Sequence, residues 1–378
     1  FRKSFDLSEA LTSDSEKSVQ TIKLQSAIEF NKVIKINERS IGGNSTPYII
    51  AEAGMNHNGD LKLGKELIDA ALTTGCDAIK FQTFLPNSRV SSKVKSVDFV
   101  ELADGVEETM HDMFSRLSMP FFEQKELFNY AKDRGIEIFS TPFDFESVDF
   151  LESLGVDLYK IASMDLVNLP LIEYVAKTQK PMILSTGMSN LGMIEDSLQV
   201  IAKAGNPNVA LLHCNSTYPA AAEDMNVDAI NTLRKCFNVP VGLSDHSFGL
   251  LVSTVALSIG SDIIERHFTL NKTLEGPDHI LSSEPDEMKR LVEISRVIKA
   301  ILGDGVKRIK SSEYDTMNLQ QKSLYALTDI SKNQVISLDM LTVKGPSGGI
   351  LPKYLNIVKG RTAVKDISAD YPITWDDI

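Results

Sequence analysis

Cysteine is scarce. The chain has three in 378 residues, Cys76, Cys214 and Cys236, with no CxxC spacing. That excludes a disulfide framework or a cysteine zinc site and predicts reduced thiols in a cytoplasmic protein. No apolar run approaches the roughly 18 residues that span a bilayer, so no membrane partner is expected. Positive charge is also short: 39 Lys and Arg stand against 51 Asp and Glu, a net charge of −12. Nucleic-acid affinity comes from clustered Lys and Arg, so no nucleic-acid partner is expected. A small anion needs only a local positive pocket and stays open. No GxGxxG or GxxxxGK[ST] loop follows a strand-like run, which removes dehydrogenase and P-loop kinase readings.

The composition, 43% hydrophobic and 24% charged, is that of a globular protein. Residues 1–31 are rich in Ser and charge. They lack an apolar signal core, and Asp6, Glu9, Asp14 and Glu16 argue against a transit peptide. They are expected to be an N-terminal extension outside the main fold.

From residue 47 short apolar runs alternate with helical periodicity. The runs are 48–52, 78–82, 137–141, 158–162, 182–186, 209–214, 239–244 and 262–268. Each is mostly apolar without alternation, as for parallel strands covered on both faces. Between the first two, Leu61, Leu67, Ile68 and Ala71 mark one helical face, and Gly75 follows as a stop. Eight such units predict an α/β fold, a (β/α)8 TIM barrel over 32–290, with a doubly wound sheet as the alternative. Residues 32–43 read as a hairpin before the barrel. An insertion over 84–121, helical near 107–117, is long enough to suggest function. Residues 286–318 read as helical and charged, finishing the barrel and leading, with 291–318 as linker, into a β-rich domain over 319–378. There, 326–341 resembles 363–378 at a spacing of 37, with Asp329/Asp366, Ile330/Ile367 and Asp339/Asp376 identical, which predicts internal pseudo-symmetry.

Reactive side chains of such barrels collect at the C-terminal ends of the strands. Here those ends carry Glu52, Lys80, Gln82, Ser140, Thr141, Lys160, Ser163, Ser185, Thr186, His213, Asn215, Ser244, Asp245, His246, Glu265, Arg266 and His267. A lysine inside an apolar run needs an anion. A salt bridge to Glu52 would satisfy one; two lysines within a rim of hydroxyls favour a phosphate or carboxylate ligand. His246 and His267 are 21 residues apart, one β/α unit, which sets two imidazoles on adjacent strand tips. With carboxylates nearby they suit a divalent metal completed by water and substrate oxygen, Mn²⁺ first and Mg²⁺ or Co²⁺ as alternatives. His213 is a third-ligand or supporting candidate. His57 would orient substrate or cap a helix.

Several segments together resemble the sialic acid synthases and related nonulosonic acid synthases. They are AEAGMNHNGDL (51–61), KFQTF (80–84), STPFD (140–144), YKIAS (159–163), ILSTGM (183–188), LLHCNSTYP (211–219), GLSDHS (242–247), ERHFT (265–269) and GPDH (276–279). The resemblance extends over 32–378, and the end domain is similar to that family's antifreeze-like (SAF, β-clip) domain. It implies condensation of phosphoenolpyruvate with an open-chain N-acylhexosamine such as N-acetylmannosamine, releasing phosphate. By the same resemblance His246 and His267 are metal ligands. Lys80, Thr141, Lys160, Ser163, Ser185, Ser216 and Ser244 hold phosphoenolpyruvate. Glu52, Gln82, Asp165, Tyr218 and Asp278 face the sugar, with Glu52 poised for proton transfer. A domain-swapped homodimer with the end domain as lid is also implied. Many bacterial members carry Arg-Pro-Gly in the end-domain loop; this chain has Lys344-Gly345-Pro346, so Lys344 is the nearest replacement. The alternatives are the same chemistry on a 6-phosphorylated or diacetamido-trideoxy hexose, a pyruvate-dependent metal aldolase, and a non-catalytic carbohydrate- or ice-binding protein.

Overall fold

The computed structural model describes residues 28–93 and 109–378. Most of the N-terminal extension and the middle of the 84–121 insertion lie outside the described residues. The chain divides into two compact units between Leu302 and Gly303.

The first unit opens with an antiparallel hairpin, β1 (Val33–Ile36) and β2 (Arg39–Gly42). Eight parallel strands then close a barrel: β3 (Tyr48–Gly54), β4 (Ala78–Thr83), β5 (Glu137–Pro142), β6 (Tyr159–Ile161), β7 (Met182–Ser185), β8 (Val209–Cys214), β9 (Val241–Asp245) and β10 (Ile263–His267), with β10 pairing back onto β3. All eight fall on the expected runs, so the barrel stands and the open sheet does not. Helix α1 (Leu61–Thr74) follows β3. Between β4 and β5 lie α2 (Pro86–Arg89), α3 (Met110–Leu117) and α4 (Phe121–Arg134). The remaining crossovers are α5 (Phe145–Leu154), α6 (Leu169–Ala176), α7 (Leu191–Lys203), α8 (Ala229–Phe237) and α9 (Leu251–Ser258), and α10 (Pro285–Leu302) ends the unit. Local chemistry sets the helix ends. Asp60 accepts from the backbone N–H groups of Lys62 and Leu63 to start α1, and Gly75 at φ 75° stops it.

The strands are apolar throughout because they serve two cores. Outward residues such as Ile49, Ile79, Ile138, Leu184, Leu211 and Leu243 pack under the helices. Inward residues Ile50, Ala78, Phe139, Leu158, Ile183, Ala210, Leu212 and Ile263 fill the barrel floor with Ile34, Ile36 and Ile41 of the hairpin, which plugs it. Two residues further along several strands the inward positions turn polar: Glu52, Lys80, Thr141, Lys160, Ser185, Cys214 and Glu265. The period-two geometry of a strand thus sets a polar layer directly above an apolar one.

The expected linker starts inside α10, whose buried face of Met288, Leu291, Val292, Ser295 and Ile298 packs with α1 and α9. Helical spacing of apolar residues makes this segment part of the barrel unit.

The second unit contains α11 (Tyr314–Gln320), β11 (Ser323–Ala326), β12 (Leu341–Lys344) and α12 (Leu355–Val358). β11 and β12 pair antiparallel, and single bridges join the other extended segments. Its core is Leu324, Ile330, Ile336, Ile350, Val358, Ala363, Ile367 and Ile373. The 37-residue repeat is visible in the backbone. Ile330 and Ile367 exchange both hydrogen bonds across a pseudo-twofold axis. Asp329 accepts from the Ala369 N–H, and its counterpart Asp366 accepts from the Lys332 N–H, both at 2.7 Å. Asn333 and Asp370, also 37 apart, both adopt left-handed φ, 66° and 65°. Lys344 pairs with Asp370 and lies over the Tyr325 ring, inside this unit. Among the described residues no helix is long and apolar enough to cross a membrane.

Candidate active site at the barrel mouth

Strand register levels the polar layer. His267, Glu52 and Lys80 are partners across β10, β3 and β4; Cys214, Ser244 and Glu265 are partners across β8, β9 and β10. The two lysines and two glutamates form one buried cluster. Lys80 Nζ is 2.7 Å from Glu52 Oε2, 3.7 Å from Glu265 Oε2 and 3.2 Å from Thr141 Oγ1. Lys160 Nζ is 3.6 Å from Glu265 Oε1 and donates to the Ile161 carbonyl at 3.3 Å. Ser244 donates to Glu265 Oε1 at 3.1 Å. The Lys80–Glu52 salt bridge is therefore real, while Lys160 has only longer contacts.

The two carboxyls differ. Burial raises the proton affinity of Glu52 above the usual carboxylate range, although Lys80 opposes it. Burial also works to raise Glu265, but Lys160, Lys80 and His246 together hold it lower than usual. Burial lowers Lys160. Of the two carboxyls, Glu52 is therefore the one that takes up a proton more readily.

Two of the hydroxyls meet at Gly187. Ser163 Oγ accepts from the Gly187 N–H at 3.0 Å. A Cβ on Gly187 would lie 2.8 Å from Ser163 Oγ and 2.2 Å from Ser216 Oγ, so only glycine lets both serines approach. Ser185 Oγ is closed to solvent and has no partner.

His246 and His267 stand 5.4 Å apart between ring centroids. The His246 Nδ1 is 2.6 Å from the Asn215 carbonyl; with Nδ1–H donating there, Nε2 carries the lone pair. Cys214 Sγ lies 3.7 Å from the same Nδ1. His267 Nδ1 is buried with no hydrogen bond, 3.6 Å from Asp278 Oδ2. Burial, then the neighbouring cations, push His267 far below its ordinary value and keep it neutral. Against burial, Cys214 and the Asn215 carbonyl raise the proton affinity of His246, so an ion there would displace a proton; two imidazoles on adjacent tips leave a divalent ion open positions. No group of three or more His, Cys, Asp or Glu among the described residues forms a complete metal cage.

Beside the cluster, Gln82 Nε2 donates to Glu52 Oε1 at 3.0 Å. Tyr218 stacks on His246 at 4.1 Å and meets His267 edge-on at 5.9 Å. Asp165 accepts from Asn168 at 3.1 Å and leaves Oδ2 unpartnered. Burial raises both Asp165 and Asp278.

The other histidines stand elsewhere. His213 alternates to the outer side of β8 and its Nε2 is 2.7 Å from the Met225 carbonyl, so it is not a third ligand. His57 Nδ1 accepts from the Gly59 N–H at 3.0 Å, a turn-capping role. Two site residues escaped the sequence reading. Glu265 was noted at a strand end without a role, although it shares the inward face with His267 two residues on. Arg89, in the insertion, carried no signal in its local sequence. A separate surface cleft of about 710 Å³ lies between α7 and α8, lined by Met188, Leu191, His213 and Asn226.

Beneath this geometry stands a barrel synthase architecture with an appended SAF domain, and comparison places the chain in it. The NeuB family matches residues 67–307 and the SAF domain matches 321–378. The chain belongs to the NeuB family. It is 42% identical to the N,N'-diacetyllegionaminic acid synthase of Campylobacter jejuni, covering 85% of this chain and 97% of that protein. It is 33% identical to the N-acetylneuraminate-9-phosphate synthase of Mus musculus, covering 90% and 95%. The crystal structure of the N-acetylneuraminic acid synthetase of Leptospira borgpetersenii superposes with a TM-score of 0.68 at 34% identity, covering 76% of this chain and 96% of that one.

Proposed function

We propose that this chain is a nonulosonic acid synthase that condenses phosphoenolpyruvate with an open-chain N-acylated amino sugar. The observation that carries the reading is the buried cluster of Lys80, Lys160, Glu52 and Glu265 beside His246 and His267. Lys80, Lys160 and the hydroxyls of Thr141, Ser163, Ser185, Ser216 and Ser244 bind the phosphate and carboxylate. Charge-assisted bonds of this kind are the strong ones. The C3 carbon of phosphoenolpyruvate forms a bond to the sugar aldehyde carbon, and the aldehyde oxygen becomes a hydroxyl. Water adds at C2 and loses a proton. The C2 hydroxyl then gives its remaining proton to the departing phosphate as the C2–O bond of the C–O–P link breaks, leaving a ketone and inorganic phosphate. Glu52 takes the proton from water and returns one to the new hydroxyl, a role its raised proton affinity supports. His246 and His267 would hold a divalent metal, Mn²⁺ first, which supplies Lewis acidity when bound.

The expected lid enters the same reading: a second copy's end domain covers the mouth, excluding water. Mixing a variant lacking 319–378 with full-length His246→Ala tests it. Regained activity supports sharing, and inactive mixed dimers refute it. The reaction is tested by phosphate release from phosphoenolpyruvate with a panel of free and 6-phosphorylated hexosamines and diacetamido hexoses. Consumption of pyruvate in place of phosphoenolpyruvate would favour the aldolase and overturn the reading.

A further inference from the structure

Arg89 ends α2 at the start of the insertion, and the reaction reading gives it no task. Its guanidinium is surrounded by three rings from three segments. The centroids of Phe84, Phe114 and Phe143 lie 4.4, 4.0 and 4.0 Å away. Phe84 follows β4, Phe114 comes from α3 and Phe143 follows β5. These rings form a small core with Met55 and Leu117, so the insertion folds down onto the arginine. Cation–π contact covers the faces of the guanidinium and leaves its N–H edge for ligands.

That edge is almost unused. Among the described residues it makes one hydrogen bond, from Nη1 to Gln82 Oε1 at 3.0 Å. The Nε–H is closed to solvent and has no partner. The surroundings are those of the sugar. After burial, the groups that act on Arg89 most are Asp278, Asp165, Glu52 and Tyr218, all assigned to the sugar side. Gln82, its one partner, is the fifth of that set.

We propose that Arg89 recognises the N-acyl group of the sugar, its N–H edge donating to the amide oxygen while the surrounding rings take the alkyl end. This rests on the reaction proposed above. The cage decides the ligand class: three phenyl rings close on the guanidinium and leave only its N–H edge, a setting that suits a neutral carbonyl oxygen with an alkyl end better than a dianionic phosphate. An amide also presents a polar oxygen next to an apolar end, matching a guanidinium edge beside phenyl rings.

The test is steady-state kinetics on the full-length protein and on Arg89→Met and Arg89→Lys, each first checked for an unchanged melting temperature. The sugar is varied as an N-acylhexosamine and as its parent hexose. Arg89→Met should raise the KM for the acylated sugar tenfold or more, leave the phosphoenolpyruvate KM within twofold, and collapse the preference for the acylated sugar. Arg89→Lys keeps the charge without the fork and should recover part of that preference. A sugar KM unmoved, or both sugars losing equally, overturns the inference and leaves the reaction standing. No turnover by the unmodified protein with phosphoenolpyruvate and any amino sugar overturns the reaction and this inference together. If Arg89→Met does not fold, Arg89→Lys decides alone: a sugar KM and preference equal to those of the unmodified protein overturn the inference.

Discussion

Lys160→Met separates ligand binding from scaffold support. Lys160 has no close partner: Glu265 is 3.6 Å away and the Ile161 carbonyl 3.3 Å. Its ammonium donors are available to an anion. Glu265 keeps Ser244 at 3.1 Å and Lys80 at 3.7 Å after the change, so no carboxylate is stranded. Methionine fills the stem's volume without charge. Hydrogen bonds to charged groups are typically worth ~1.5–3 kcal/mol. At ~1.4 kcal/mol per decade the phosphoenolpyruvate KM should rise roughly 10- to 150-fold. Phosphate release with phosphoenolpyruvate varied at saturating sugar measures it, and denaturant unfolding should show little loss of stability. Lys80→Met behaves differently. It leaves the buried Glu52 with only Gln82, and stranding a buried charge typically costs ~3–5 kcal/mol. A phosphoenolpyruvate KM within threefold of the parent in Lys160→Met would refute the anion-pocket assignment.

Three further outcomes are expected. His246→Ala and His267→Ala should each abolish chelator-sensitive turnover and lower Mn²⁺ affinity by titration calorimetry; undiminished Mn²⁺ binding in both counts against the pair as ligands. Arg266 donates to Asp245, Ser283 Oγ and the Ser247 carbonyl. Arg266→Met removes the cation paired with buried Asp245, leaving its charge to the Ser247 N–H and the Ser247 and Ser253 hydroxyls, and should cost ~3–5 kcal/mol in urea unfolding; a loss under about 1 kcal/mol would show the ion pair to be dispensable. His57 is buried, and burial lowers its pKa to about 4 from an ordinary 6.5. The unfolded chain binds that proton first, so stability present above pH 6.5 is lost as pH falls towards 4, on the order of 3 kcal/mol in all. His57→Gln should flatten that slope of unfolding free energy against pH; an unchanged slope would place the acid sensitivity elsewhere.

The barrel was legible because strand periodicity and the helical stripe are local properties. The apolar runs located all eight strands, and Gly75 located a helix end. The lysines were legible for the same reason, since a charge inside an apolar run demands a partner. The long-range pairings were not. Nothing local distinguishes His213, which faces outward to Met225, from His246 on the next strand tip. Glu265 could have been found by counting two residues back from His267. Arg89 could not, because its ring cage is assembled from positions 84, 114 and 143, and their meeting depends on how the insertion folds. That a charged helix finishes the barrel was legible at 286–318; its end at Leu302 was not, because its buried stripe is defined only by α1 and α9.

The cluster of two lysines and two glutamates is costly for a fold to keep. Buried ion pairs usually stabilise little more than well-packed apolar side chains of equal volume, so their presence argues for a task beyond stability. The barrel below the cluster shows that apolar packing was accessible, since Ile50, Ala78 and Ile263 occupy the equivalent inward positions one layer down. What the carboxylates add is preorganisation. They hold both ammonium groups in a dry site ahead of any ligand, so little ordering remains when an anion arrives. They also make the charge adjustable. Burial favours a proton on Glu52, the lysines disfavour one on Glu265, and a proton taken up by Glu52 turns a balanced cluster into a cationic one. A protein with a net charge of −12 can in this way present a local positive site to a small polyanion without a basic surface.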